Sequence, residues 1–190
     1  MRFLHLCPQS NAACAVIYAT EEKAKAISNK PVWVKDHVTC HNESLYSSGR
    51  FIGFGGKDNS WRVCAEKLYK RNGITNPLKE IDVFEMYDPS VWFHFELLEQ
   101  IMMLPEGEVF KMIDRGDTAR DGVFPVNPSG GVLASNPIGA TAMLRVAEAA
   151  LQVRGHCGDY QVGKEVKTAM ASGFGGSKWT VLHLLTKELD

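Results

Sequence analysis

No charge of one sign dominates this chain: 21 Lys and Arg stand against 22 Asp and Glu, a formal net charge of −1. Nucleic acid or an anionic membrane surface therefore meets no strong net field. No apolar run approaches the ~20 residues of a spanning helix, because each is broken by Arg, Glu, Lys or His. The N-terminal stretch MRFLHLCPQSN has neither a long apolar core nor a small-residue cleavage site, so it does not read as a signal peptide. The five cysteines (Cys7, Cys14, Cys40, Cys64, Cys157) are odd in number and contain no CxxC pair, which points to reduced thiols in a cytoplasmic protein rather than a disulfide framework. There is no P-loop, no GxSxG, no internal repeat and no Pro- or Ser-rich linker. What remains, at 45% hydrophobic and 23% charged over 190 residues, is the composition of one globular domain, residues 1–190.

The run from Ala12 to Ala19 is small and apolar throughout and reads as a buried strand, followed by a short helix over Glu21 to Ala26. Pro31 to Cys40 is rich in β-branched residues, and the polar, Gly-bearing stretch from His41 to Gly56 reads as a long loop. Trp61, Cys64, Ala65 and Leu68 recur at helical spacing, with Asp58 or Asn59 as cap and Gly73 past the end. Ile81 to Tyr87 reads as a strand. Asp88-Pro89-Ser90 then supplies a cap, and a proline suited to the first turn of a helix running to about Met103.

Pro137 to Arg154 predicts a helix whose interior polar residues, Arg145, Glu148 and Gln152, fall on one narrow stripe. Such a helix is expected to be buried between layers, with Gly155 as its stop. Val166 to Ala171 and Lys178 to Thr186 flank a Ser-Gly-Phe-Gly-Gly-Ser segment and predict an antiparallel hairpin. Strand alternates with helix, as in an α/β layered fold.

Among segments that carry chemistry, the turn from Gly130 to Thr141 is the sharpest. Ser135 or Asn136 is placed to cap the following helix, with Pro137 in its first turn, and helix N-termini present unpaired N–H groups. Gly173, Gly175 and Gly176 would let backbone approach a ligand closely, although a tight hairpin also explains them. His37, Cys40 and His41 put three metal-ligand types within five residues, but no second ligand pair with zinc spacing exists, so no metal is expected. His94, among aromatics, reads as a packed histidine rather than a base.

Taken together, GGVLASNPIGAT followed by LRVAEAALQVRGHCGDYQV resembles the C-terminal half of the thiolase superfamily, and the lipid-transfer or sterol-carrier type is the subgroup most similar. CPQSNAACAVIYATEE resembles the family's entry into that half, IDVFEMYDPS its acidic-aromatic strand end, and SGFGGS its closing glycine loop. The resemblance implies an α/β thiolase-like C-terminal domain (βαβαβαββ), a mixed sheet with layered helices. It also implies a missing N-terminal half, which in the family carries the nucleophilic cysteine. The substrate implied is a coenzyme A thioester, with acyl specificity helped locally by the loop from His41 to Gly56.

Position by position, Asn136 stands where the family's Gly-His-Pro-x-Gly motif has histidine. An amide donates to an oxyanion but cannot act as a base near pH 7. Tyr87-Asp88-Pro89-Ser90 stands where the sterol-carrier type has His-Asp-Cys-Phe, and no cysteine appears from Ser172 to Gly176. The catalytic residues implied are thus Asn136, Tyr87 and Asp88, with Gly173, Gly175 and Gly176 at the ligand. The implied activity is thiolytic or retro-aldol C–C cleavage of a CoA thioester. The alternative is a non-catalytic acyl-CoA-binding or scaffold subunit. Implied partners are the N-terminal half, a homo- or hetero-oligomeric assembly, and a small zinc-ribbon/OB-fold acyl-CoA-binding protein.

Overall fold

The structure, a computed structural model, describes residues 2–41, 60–175 and 179–189. The loop expected to end at Gly56, the cap at Asp58 or Asn59, and Gly176 lie outside the described residues.

Thr20 caps α1 (Glu21–Ile27) by accepting the Lys23 N–H. The β-branched run forms β1 (Trp33–His41), and the apolar spacing at Trp61 and Leu68 produces α2 (Ser60–Asn72), whose stripe is buried as expected. After α3 (Pro77–Glu80), the strand signal contracts to β2 (Val83–Glu85). Ser90 caps α4 (Val91–Ile101) by accepting the Phe93 N–H at 3.3 Å, so Pro89 precedes the cap instead of entering the first turn. There follow α5 (Glu108–Asp114), α6 (Gly131–Ala134) and α7 (Thr141–Arg154), then the expected antiparallel hairpin of β3 (Thr168–Gly175) and β4 (Trp179–Thr186).

The four strands lie in the order β1-β4-β3-β2, with β2 parallel to β3 and the other pairs antiparallel. Side chains alternate across a sheet. Accordingly Phe84, Met170, Leu182 and Leu184 pack with residues of α2, α4 and α5, while Val83, Ala169, Ala171 and Leu185 pack with Val146, Ala149 and Val153 of α7. The fold is a mixed α/β sheet with helices on both faces.

Three expectations are corrected. Residues 12–19 form no strand: Ile17 and Tyr18 are exposed, and no strand among the described residues pairs with them. A strand exists only by pairing, and this segment finds no partner edge here. The long helix begins at Thr141 rather than Pro137, because Gly139 adopts φ +98° and interrupts the helical backbone, so neither Ser135 nor Asn136 is its cap. The polar stripe of α7 faces inward: Arg145 and Gln152 are 4% and 1% exposed, whereas Met143 on the far side is 40% exposed. Among the described residues the sheet covers one side of this helix, and Met143 on the other side is exposed.

Candidate active site

The chain leaves β2 at Glu85 and passes through Met86, Tyr87 and Asp88 before α4 begins. The Tyr87 N–H donates to Ser172 Oγ at 2.9 Å, which fixes Tyr87 beside the β3 segment that carries Gly173. Asp88 is buried. Its Oδ1 accepts the Val132 N–H at 3.0 Å and its Oδ2 lies 2.8 Å from His94 Nδ1, so it ties α6 to α4. His94 is therefore half of an acid–imidazole pair rather than a merely packed ring, and sequence reading missed it.

Asn136 follows the extended Ser135 that ends α6 and is 5% exposed. Thr141 Oγ1 donates to its Oδ1 at 2.8 Å, and its Nδ2 donates to Cys7 Sγ at 3.0 Å. Cys7 arrives there because its own N–H donates to Pro89 O at 3.0 Å while Gln9 makes a parallel bridge to Asn136. The N-terminal segment is thus laid across the turn at Pro89 and the turn at Asn136, a placement no local pattern announces.

The loop from Asn127 to Gly131 supports the site from beneath. Asn127 Oδ1 accepts the Met86 N–H at 2.5 Å, and Ser129 Oγ donates to Glu85 Oε2 at 2.7 Å. Gly131 has φ +62°, and a Cβ there would strike the Asn127 side chain and Asp88 Oδ1. Only glycine fits where the backbone comes so close to the buried carboxylate.

Of the three glycines assigned to the ligand, Gly173 and Gly175 have packing reasons of their own. A Cβ on Gly173 would sit 2.8 Å from the Ala142 Cβ in the first turn of α7, and one on Gly175 would meet the Trp179 ring. The close approach at Gly173 brings the start of α7 against β3. Tyr87, Ser172, Thr141, Asn136 and Cys7 consequently gather at one end of the sheet.

Burial pushes the Tyr87 phenol above its ordinary value, and the Cys7 sulfur adds to this. At neutral pH Tyr87 is thus an O–H donor and not a base. With the Asn136 amide it offers the site two neutral donors suited to a developing oxyanion. The metal-type residues of β1 do not converge: Cys40 is buried on one face, while His37 stacks on His183 and His41 on Trp179. No group of three or more metal-holding side chains occurs among the described residues. Surface hollows of about 280 and 380 Å³ lie elsewhere, and neither is lined by Tyr87, Asn136 or Cys7.

The family described as Thiolase C-terminal domain-like matches residues 56–187. Sterol carrier protein 2 of Gallus gallus is 30% identical over 96% of this chain and 34% of its own length. Acetyl-CoA acetyltransferase of Methanothermobacter thermautotrophicus is 31% identical over 98% of this chain and 48% of its own. The chain thus spans about a third to a half of these relatives. A solved structure titled Ltp2-ChsH2(DUF35) aldolase shares the fold at TM-score 0.73 and 22% identity, covering 90% of this chain and 43% of that one. Helices on both faces of the mixed sheet, the site at its end and the matched residues converge on one assignment: the chain belongs to the thiolase superfamily, in its C-terminal-domain part and with a lipid-transfer-like character.

Proposed function

We propose that residues 1–190 form one domain, the C-terminal half of a thiolase-like assembly that cleaves or forms a C–C bond next to a coenzyme A thioester. The observation that carries this reading is the meeting of Tyr87, Asn136 and the Ser172–Gly173 backbone at one sheet end. In this reading Asn136 and Tyr87 donate hydrogen bonds to the oxygen that gains charge when a thioester enolate or tetrahedral adduct forms. Asp88 holds α6 and His94 in register and does not itself touch substrate. An aldolase among the structural neighbours supports retro-aldol cleavage as one form of the reaction, and an acetyl-CoA acetyltransferase among the relatives supports the thiolytic form.

The nucleophile for bond cleavage comes, in this proposal, from an N-terminal half, as a separate chain or a further segment. Exposed Ile17, Tyr18, Ile138 and Met143 support such a partner, because apolar side chains left over by one domain mark a surface that another covers. A zinc-ribbon/OB-fold protein is a further proposed partner in the same hetero-oligomer. No described helix is long and apolar enough to cross a membrane.

The test is capture of the chain from its source cells with intact masses of everything retained, followed by assay of the assembly with acyl-CoA substrates. Tyr87→Phe and Asn136→Ala are each expected to lower turnover on the order of 100-fold. Unchanged turnover in both, with acyl-CoA still bound, would instead establish the non-catalytic binding subunit, which the amide at position 136 and Pro89 favour.

A further inference from the structure

The geometry points to a second ligand site in this domain: the hollow of about 380 Å³ at the C-terminal end of α7 binds a small phosphate monoester, with its phosphate on Arg154 and Lys30. Thr141, beside Asn136, and Arg154 are the two ends of α7, roughly 20 Å apart at 1.5 Å per residue, so the hollow lies at the other end of the domain from Tyr87 and Asn136. The inference is independent of the functional reading above.

Cations reach the hollow from four separate segments. Lys30 follows α1, Arg154 ends α7, Lys164 precedes β3 and Lys187 follows β4. Among the described residues Glu165 is the one carboxylate of the lining, and Lys187 already holds it. Four cations against one carboxylate leave a formal charge of +3 here, in a chain whose net charge is −1. Arg62, Arg71, Arg115, Arg120 and Arg145 each face a carboxylate within 3.3 Å. Arg154 does not. It commits Nε to Lys30 O at 3.0 Å, and neither Nη has an acceptor among the described residues. Lys164 Nζ rests on a neutral acceptor, Val123 O, at 3.1 Å. The dipole of α7 explains one cation at its C-terminus, but not the others brought in from distant segments. Its last carbonyls are in any case occupied, Gln152 O by the Gly155 N–H and Leu151 O by the His156 N–H.

The arrangement selects the ligand. The bond from Nε to Lys30 O orients the guanidinium, and its two Nη groups form a fork that matches two phosphate oxygens. A phosphate monoester carries up to two charges and three terminal oxygens, enough to engage Lys30 and Lys164 as well. A monocarboxylate brings one charge and two oxygens and leaves most of the field unmatched. Pro31 and the buried Val153 and Val166 supply an apolar wall, and the volume falls in the range of small-molecule pockets, with room for an organic body beyond the phosphate.

The test is isothermal titration calorimetry on the full chain, with whatever it retains on purification, using phenyl phosphate, inorganic phosphate and benzoate at constant ionic strength. Phenyl phosphate is expected to bind with a stoichiometry near one and more tightly than inorganic phosphate, and benzoate to bind at least about tenfold more weakly than phenyl phosphate. Arg154→Gln and Lys30→Gln should each weaken phenyl phosphate about tenfold. Arg154→Lys should stay weak, because it restores the charge without the fork. Lys111→Gln, on α5, should change nothing. Lys30→Gln keeps the backbone acceptor of Arg154, so it decides the matter if Arg154→Gln fails to fold. Absence of phenyl phosphate binding, benzoate binding equally well, phenyl phosphate binding no tighter than inorganic phosphate, or equal weakening in Lys111→Gln overturns the proposal.

Discussion

Arg145 Nη1 on α7 stands 2.8 Å from Glu85 Oε2 at the end of β2, with both side chains buried. Ser129 Oγ closes a triangle, accepting from Arg145 at 2.9 Å and donating to Glu85 at 2.7 Å. Burial pushes the Glu85 carboxyl up to about 7, against the lowering pull of Arg145 and Ser129. The triangle locks the loop below the site onto the residue from which Tyr87 and Asp88 follow.

Removing one member leaves the other charge stranded. Arg145→Met is expected to cost roughly 3–5 kcal/mol of stability, read as a lower midpoint in denaturant unfolding. The double variant Arg145→Met, Glu85→Leu should be more stable than Arg145→Met alone, because it no longer buries an unpaired carboxylate. Simple additivity of the two changes would show that the pair is not coupled.

The inward turn of Arg145 also marks what could be read from sequence and what could not. The stripe Arg145, Glu148, Gln152 was visible as a period, but a period states only that one face differs, and its direction depends on Glu85, 60 positions away. Trp61 to Leu68 and the β3–β4 hairpin were legible because apolar spacing and strand pairing there are local. The Ala12 to Ala19 run was misread because composition cannot supply a partner strand. Tyr87, Asp88 and Asn136 were proposed through motif resemblance. Cys7 was not, since 129 positions separate it from the amide it meets.

Gly173 has two explanations, contact with α7 and approach to a ligand, and one pair of variants separates them. Gly173→Ala places a Cβ 2.8 Å from the Ala142 Cβ, an overpacking worth about 1–3 kcal/mol. Adding Ala142→Gly should restore most of the lost stability. If the restored double variant binds acyl-CoA like the parent, Gly173 serves packing; if it folds but binds weakly, the backbone there also faces the ligand.

Stability should fall as pH rises through neutrality. Burial, with help from Glu99, pushes the Glu96 carboxyl from its ordinary 4.5 up to about 7, while a hydrogen bond from Trp92 opposes the shift. The folded state then holds a proton that the unfolded state has released, so this contribution is complete below pH 4.5 and is lost as pH rises through 7. Glu85 acts with the same sign. Glu96→Gln cannot ionise, and it should raise the thermal midpoint relative to the parent near pH 8 and leave it nearly unchanged near pH 5. An equal shift at both pH values would exclude ionisation as its cause.

Thr141 decides which way the Asn136 amide points, and this can be tested apart from stability. Its buried hydroxyl lies 2.8 Å from Asn136 Oδ1 and 3.0 Å from Pro137 O, and its single proton is shared between the amide and the turn before α7. Thr141→Val keeps the shape and removes the donor, at a cost of about 1–3 kcal/mol for the acceptors left unpaired. Freed from Thr141, the Asn136 amide is held less firmly with Nδ2 toward the proposed oxyanion position, so turnover by the assembly should fall about tenfold, with kcat carrying the loss and KM little changed. Thr141→Ser keeps the hydroxyl and should recover both rate and stability. A valine variant that melts earlier yet turns over normally when folded would show that Thr141 braces the turn without aiming the amide.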